Sequence, residues 1–202
     1  MQNQPQSNNQ NNIRLKIIGS LLIPQLIILG ISILWIFIFP KDTIINYFKF
    51  NFLILFEGIL TGIGLAISGY GFYKLAKKYS HKIKAFSELT YFFEEMLSLF
   101  IKNLKFPEIF LVSFTSGFCE EVLFRGLLVP KFGIILSSLG FGALHIPSGK
   151  DKRKIWIYAI WATLSGALLA WLFVLSGSLW LSISAHVTNN LIGMILLKRL
   201  KN

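Results

Sequence analysis

Negative charge is scarce in this chain: its 202 residues include only 9 Asp and Glu, and charged residues of both signs make up 14%. A soluble domain uses roughly a quarter charged residues. With 54% hydrophobic residues and a mean hydropathy of +0.63, an ordinary water-soluble enzyme is excluded. Cysteine is nearly missing too. Cys119 stands alone, which excludes an internal disulfide and, inside an apolar run, reads as a small buried side chain. What is present in excess is positive charge, 20 Lys and Arg for a formal net charge of +11. Such a charge would suit nucleic acid if it lined one face. Instead the basic residues cluster between long apolar stretches, so no nucleic-acid partner is expected and the pattern is that of membrane topology, with the lipid bilayer as partner.

Residues 1–12 are almost entirely Gln, Asn, Ser and Pro, with nothing to bury, and are expected to form a disordered tail. Residues 17–40 are a nearly uncharged apolar stretch, long enough for the ~20 residues that cross ~30 Å of hydrocarbon and too long for a signal-peptide core. Further candidate spans are 51–73, 107–130, 132–147, 155–175 and 178–197. The segment 132–147 is short for a crossing and is expected to be tilted, kinked or re-entrant. Within 81–105, Ile83, Phe86, Leu89, Phe92, Phe93, Met96, Leu97 and Phe100 recur at helical spacing among Lys and Glu. That spacing predicts an amphipathic helix in the membrane surface or packed across the bundle. The expected fold is all-α, a polytopic membrane bundle of about six spans plus an interfacial helix. It divides into the tail 1–12, a two-span region with the interfacial helix at 13–105, and a core at 106–202.

Ionisable groups inside membrane segments are costly and mark function by default. Here they are Glu57, Glu120, Glu121, Arg125, His145 and His186, with Asn190 as a polar companion. Glu121 and Arg125 are spaced i and i+4, share a helix face and can form an ion pair. Glu120 points about 100° away and is left without that partner, as a general base requires. Phe141 and His145 are one turn apart, as are His186 and Asn190, so each pair lines one face. A carboxylate with an imidazole can hold and deprotonate water, while a second imidazole and a carboxamide can donate to an oxyanion. Glu120, His145 and His186 could also supply three ligands of a catalytic zinc. With no His-Glu-x-x-His pair in the chain and Asn a poor zinc ligand, metal is the weaker reading, and neither metal nor cofactor is expected.

At these residues the sequence resembles the CPBP family, the glutamic intramembrane proteases that include type II CAAX prenyl endopeptidases and bacteriocin-processing or immunity proteins. The family's Glu-Glu-x-x-x-Arg motif matches Glu120, Glu121 and Arg125, followed by Gly126. Its Phe-x-x-x-His motif matches Phe141 and His145, and its His-x-x-x-Asn motif matches His186 and Asn190. The resemblance covers about residues 106–197. It implies that Glu120 and His145 activate water, that His186 and Asn190 stabilise the oxyanion, and that Glu121 and Arg125 support the site. The implied activity is hydrolysis of a peptide bond in a membrane-associated peptide or protein substrate.

Blander readings stand beside these. Phe141 is a packing residue even within its motif, Cys119 a core residue and His81 a solvated one. Glu57 is expected in structural pairing, with Arg125 or a backbone group. A non-proteolytic accessory or immunity protein of the same fold is the alternative function. A transporter is disfavoured because Gly/Pro-broken segments do not recur in two matching halves.

With six crossings, Lys41, Lys49 and Lys131 fall in outward loops and Arg125 within an apolar segment, leaving the other sixteen of the 20 basic residues on one side. By the positive-inside rule that side, with both termini, is cytoplasmic. Trp35 and Trp180 near outer ends and Trp156 near an inner end suit the aromatic belts. Cysteines introduced at Ser148 or Asn202 should therefore resist an impermeant thiol reagent in intact cells. Efficient labelling there would overturn the topology.

Overall fold

A computed structural model describes residues 4–40, 44–146 and 156–200. Every element among them is helical, as the all-α expectation requires. They are α1 (Gln4–Ile38), α2 (Phe52–Tyr79), α3 (Lys84–Tyr91), α4 (Ser98–Ile101), α5 (Phe106–Glu121), α6 (Val129–Leu144), α7 (Trp156–Ser176) and α8 (Leu179–Arg199). Two π-helical turns, Phe92–Leu97 and Val122–Leu128, join α3 to α4 and α5 to α6, and a 3-10 turn occupies Ile44–Tyr47. The protein is a polytopic membrane bundle. Its outer surface is Leu, Ile and Phe, with Phe37 80% and Ile135 75% exposed, a surface that water would not tolerate and lipid matches. The loop at 150–154, with the residues at 1–3, lies outside the described residues.

Five helical stretches are long and apolar enough to cross a membrane: Asn12–Ile38, Phe52–Tyr79, Phe106–Leu144, Trp156–Ser176 and Leu179–Arg199. The candidates 107–130 and 132–147 lie in one of these, a stretch of 39 residues, as two limbs, the second being the one expected to be tilted, kinked or re-entrant. That stretch doubles back. At Gly133 the backbone has φ 78° and ψ 174°, a conformation reserved for glycine. Beyond it, the Ser137 hydroxyl donates to the Phe124 carbonyl at 2.9 Å, and the Phe124 and Phe141 rings meet edge to face at 5.2 Å. A straight helix would hold residues 124 and 141 roughly 25 Å apart. The returning limb, 134–146, is only about 20 Å long by helical rise, short of a full crossing.

Helix ends follow local chemistry. The Asn51 side chain accepts from the Leu53 amide at 2.8 Å, and the Ser178 hydroxyl accepts from the Trp180 amide at 3.3 Å, each supplying an orphan N–H at a helix start. Glu108 accepts from the Lys105 amide at 2.7 Å and pairs with Arg14 of α1 at 3.0 Å, tying α1 to the beginning of α5. α1 itself begins at Gln4, inside the stretch expected to be a disordered tail. Once an apolar span has nucleated a helix, each further residue adds a hydrogen bond at small cost.

The amphipathic segment packs across the bundle. Leu89, Phe92 and Ile101 are buried, Phe92 and Phe93 meet the Tyr158 ring of α7 at 5.4 and 5.9 Å, and Glu94 accepts from Tyr73 and Lys77 of α2.

α2 lies in close contact with α8. A Cβ on Gly62 would lie 2.4 Å from the Ala185 carbonyl oxygen, and one on Gly58 2.4 Å from that of Leu181. Membrane helices approach this closely only through small residues. Gly62→Ala is therefore expected to lower stability by about 1–3 kcal/mol through overpacking. Gly64→Ala, two residues along with nothing within 4 Å of its new carbon, should be neutral or stabilising. Thermal melts of both variants in one detergent check the contrast.

Candidate active site

The site is built where α5 gives way to its wide turn. α5 carries Glu120 and Glu121 at its last two positions, and the π turn that starts at Val122 carries Arg125. All three are buried, Glu121 at 0% and Arg125 at 1% exposure. π turns interrupt α-helices most often at functional sites. Here the wide turn leaves Arg125 on the face of Glu121: its Nη1 donates to Glu121 Oε1 at 2.8 Å. Its Nη2 donates to the Gly166 carbonyl of α7 at 2.9 Å, and the guanidinium lies over the Phe141 ring at 4.6 Å, a cation–π contact. Gly166 leaves the space for this, since a Cβ there would sit 3.2 Å from Nη2 and 3.0 Å from Phe141.

Glu120 turns the other way. Its Oε1 accepts from the Ser116 hydroxyl at 2.8 Å, and Ser116 in turn accepts from Asn190 Nδ2 at 3.3 Å. Its buried Oε2 has no hydrogen-bond partner among the described residues. His186 stands between the two carboxylates, with Nδ1 2.7 Å from Glu121 Oε1 and Nε2 3.9 Å from Glu120 Oε2. Donation from Nδ1 to Glu121 orients the ring and presents Nε2 to Glu120. His145 ends α6, partly buried, with Nδ1 2.8 Å from the Phe141 carbonyl oxygen. Its ring packs on Phe141 at 4.5 Å, and Phe141 reaches His186 at 5.8 Å. Phe141 is thus the apolar hub among Arg125 and both histidines.

A cavity of about 370 Å³ opens on this cluster, bordered by Ser116, Glu120, His145, Tyr158, His186 and Asn190. Neither Glu121 nor Arg125 borders it. The four side chains named from spacing, Glu120, His145, His186 and Asn190, therefore come from three elements to one cavity. Ser116 and Tyr158 join them from outside the motifs. Ser116 lies one turn before Glu120, a spacing visible in the sequence. Tyr158 lies in no motif, and only packing of α7 against α6 brings its ring within 6.0 Å of His145. Glu57 does not join: it is exposed on α2, and Arg125, its suggested partner, bonds to Glu121 and Gly166 instead. Cys119 is buried and His81 exposed. Among the described residues no three His, Cys, Asp or Glu side chains converge in a metal-holding group.

Residues 102–192 match the family described as Type II CAAX prenyl endopeptidase Rce1-like, a stretch that holds all three motifs. The resemblance drawn from those motifs is borne out over that stretch. Among curated proteins, the uncharacterized protein YpbD of Bacillus subtilis (strain 168) is 32% identical over 80 residues, covering 40% of this chain and 40% of that protein. The match therefore spans well under half of the relative's length. No solved structure matches significantly.

The ion pair and the cavity-facing carboxylate should separate in a mutational test. Glu121→Gln strands the Arg125 charge inside the membrane, a loss on the order of 3–5 kcal/mol when one partner of a buried pair is removed. Adding Arg125→Met removes both charges and should restore part of that stability, as coupled residues do. Melting curves of the single and double variants decide it; equal stability of the two would show the pair to be uncoupled.

Proposed function

We propose that this protein is an intramembrane endopeptidase in which Glu120 and His145 activate a water that attacks a peptide carbonyl. The observation that carries the reading is the unequal state of two adjacent glutamates. Glu121 is engaged by Arg125 and His186 and does not border the cavity, whereas Glu120 borders it with one oxygen unpartnered among the described residues. A buried carboxylate with a free oxygen, in a cavity that two imidazoles also border, is suited to take a proton from water. The hydroxide formed adds to the carbonyl carbon, and the negative charge moves to the carbonyl oxygen.

His186 and Asn190 are the groups placed to receive that oxyanion. Glu121 holds the His186 ring at Nδ1 and so turns Nε2 toward the reacting carbonyl. Asn190 has a second N–H beyond the one given to Ser116. Collapse of the tetrahedral intermediate breaks the C–N bond, and the proton held by Glu120 passes to the leaving nitrogen. No covalent enzyme intermediate is formed. Glu121, Arg125 and Phe141 hold the reacting groups in place. The Rce1-like match over residues 102–192 supports CAAX-type C-terminal processing or processing of another membrane peptide as the substrate class. It also supports residues 106–202 as the core that carries the chemistry. The excess of basic residues on one side supports a cytoplasmic location for both termini.

Glu120→Gln retains size and polarity but removes the base. In proteoliposomes supplied with internally quenched peptides, farnesylated at a CAAX cysteine or unlipidated, its turnover should fall by the roughly 10²–10⁴ typical of general-base loss, or more. Its melting temperature should stay close to the wild type. A Glu120→Gln protein that cuts as fast as the wild type would overturn the mechanism. A well-folded wild type that cuts no peptide would favour the non-proteolytic accessory role.

A further inference from the structure

Among the described residues, the first span contributes a buried side-chain polar atom with no hydrogen-bond partner, the Gln25 oxygen. Between Ile17 and Ile38 the hydroxyl and carboxamide side chains are Ser20, Gln25 and Ser32. Both serines are satisfied within their own helix, Ser20 by the Ile17 carbonyl at 2.8 Å and Ser32 by the Ile28 carbonyl at 2.9 Å. Gln25 is not. Its side-chain oxygen is buried and has no hydrogen-bond partner among the described residues. The residue lies midway along the span Asn12–Ile38, where an unsatisfied amide is most costly. It also borders the cavity that holds Glu120, His145 and His186, because α1 packs beside α5 and the π turn.

We infer that Gln25 binds the backbone of the substrate, pairing its carboxamide with a peptide group flanking the bond to be cut. A peptide drawn into a mostly apolar cavity loses water from its N–H and C=O groups, and each must find a partner or destabilise the complex. A carboxamide offers one acceptor and two donors, the complement of a peptide unit. Glu120, His145, His186 and Asn190 are committed to the carbonyl under attack and to the water. Gln25 is an amide unengaged among the described residues and bordering the same cavity, supplied from outside the segment 102–192 that matches the endopeptidase family. Substrate selection is thereby partly assigned to the amino-terminal helix. This inference rests on the peptidase reading above and adds a positioning residue to it.

The test is a Gln25→Met variant in proteoliposomes, read with the same quenched peptides and with a series in which each amide flanking the cleaved bond is replaced in turn by an ester. Loss of one hydrogen bond to substrate should raise KM roughly tenfold, with kcat within about twofold. One ester peptide should show no further KM penalty from the variant, since its missing N–H was the partner. Because an unpaired amide leaves the membrane interior, the melting temperature should hold or rise. An unchanged KM, an equal penalty across the whole ester series, or a lowered melting temperature would each overturn the assignment, the last by making Gln25 a packing residue. A wild type that cuts no peptide would instead remove the peptidase reading, and this inference with it, so the two failures are told apart by the wild-type control.

Discussion

The ion pair between Glu121 and Arg125, 2.8 Å long and sealed from solvent, is the constraint on which the rest of the site depends. A guanidinium cannot shed its charge and carries five donors, so the bundle must surround it. Glu121 balances the charge, the Gly166 carbonyl takes a second donor and Phe141 covers the face. Those contacts join the π turn to α6 and α7. The same Glu121 oxygen orients His186, which brings in α8. One carboxylate therefore sets the relative position of four elements, and its neighbour in sequence is held in the cavity as a consequence.

The division of labour between the glutamates is a matter of helical phase. Consecutive residues point about 100° apart, so once Glu121 faces Arg125, Glu120 must face elsewhere. It faces Ser116 and His186. Low polarity around the cavity strengthens every charge interaction there and makes each unpaired polar atom costly. The orphan oxygen of Glu120 is for that reason informative, as is the Gln25 carboxamide bordering the same cavity.

Small residues make the enclosure possible. Gly58 and Gly62 let α2 lie against α8, Gly166 gives Arg125 its space, and Gly133 lets the chain return after the π turn. None of these glycines touches the reacting groups. They set the distances at which the cavity-bordering side chains meet, since helix separation in a membrane is limited by side-chain bulk rather than driven by water.

The sequence alone determined the properties that depend on local composition and period. Long uncharged runs dictate membrane helices, because only a helix satisfies its own backbone in lipid. The spacings of Glu121 with Arg125, Phe141 with His145 and His186 with Asn190 follow from 3.6 residues per turn. Tertiary structure decided what those rules leave open. Of the tilted, kinked or re-entrant forms expected for 132–147, the structure has a reversal at Gly133, which the sequence leaves open because the left-handed conformation of a single glycine is not visible in hydropathy. His186 bonds Glu121 as well as facing Glu120, and Glu57 stays apart from Arg125, because partners on different helices are chosen by packing. Tyr158 and Gln25 reach the cavity from helices that carry no motif. Their places depend on which faces of α7 and α1 the bundle encloses, and that is set by the fit of small and large side chains between helices, not by the order of residues along any one of them.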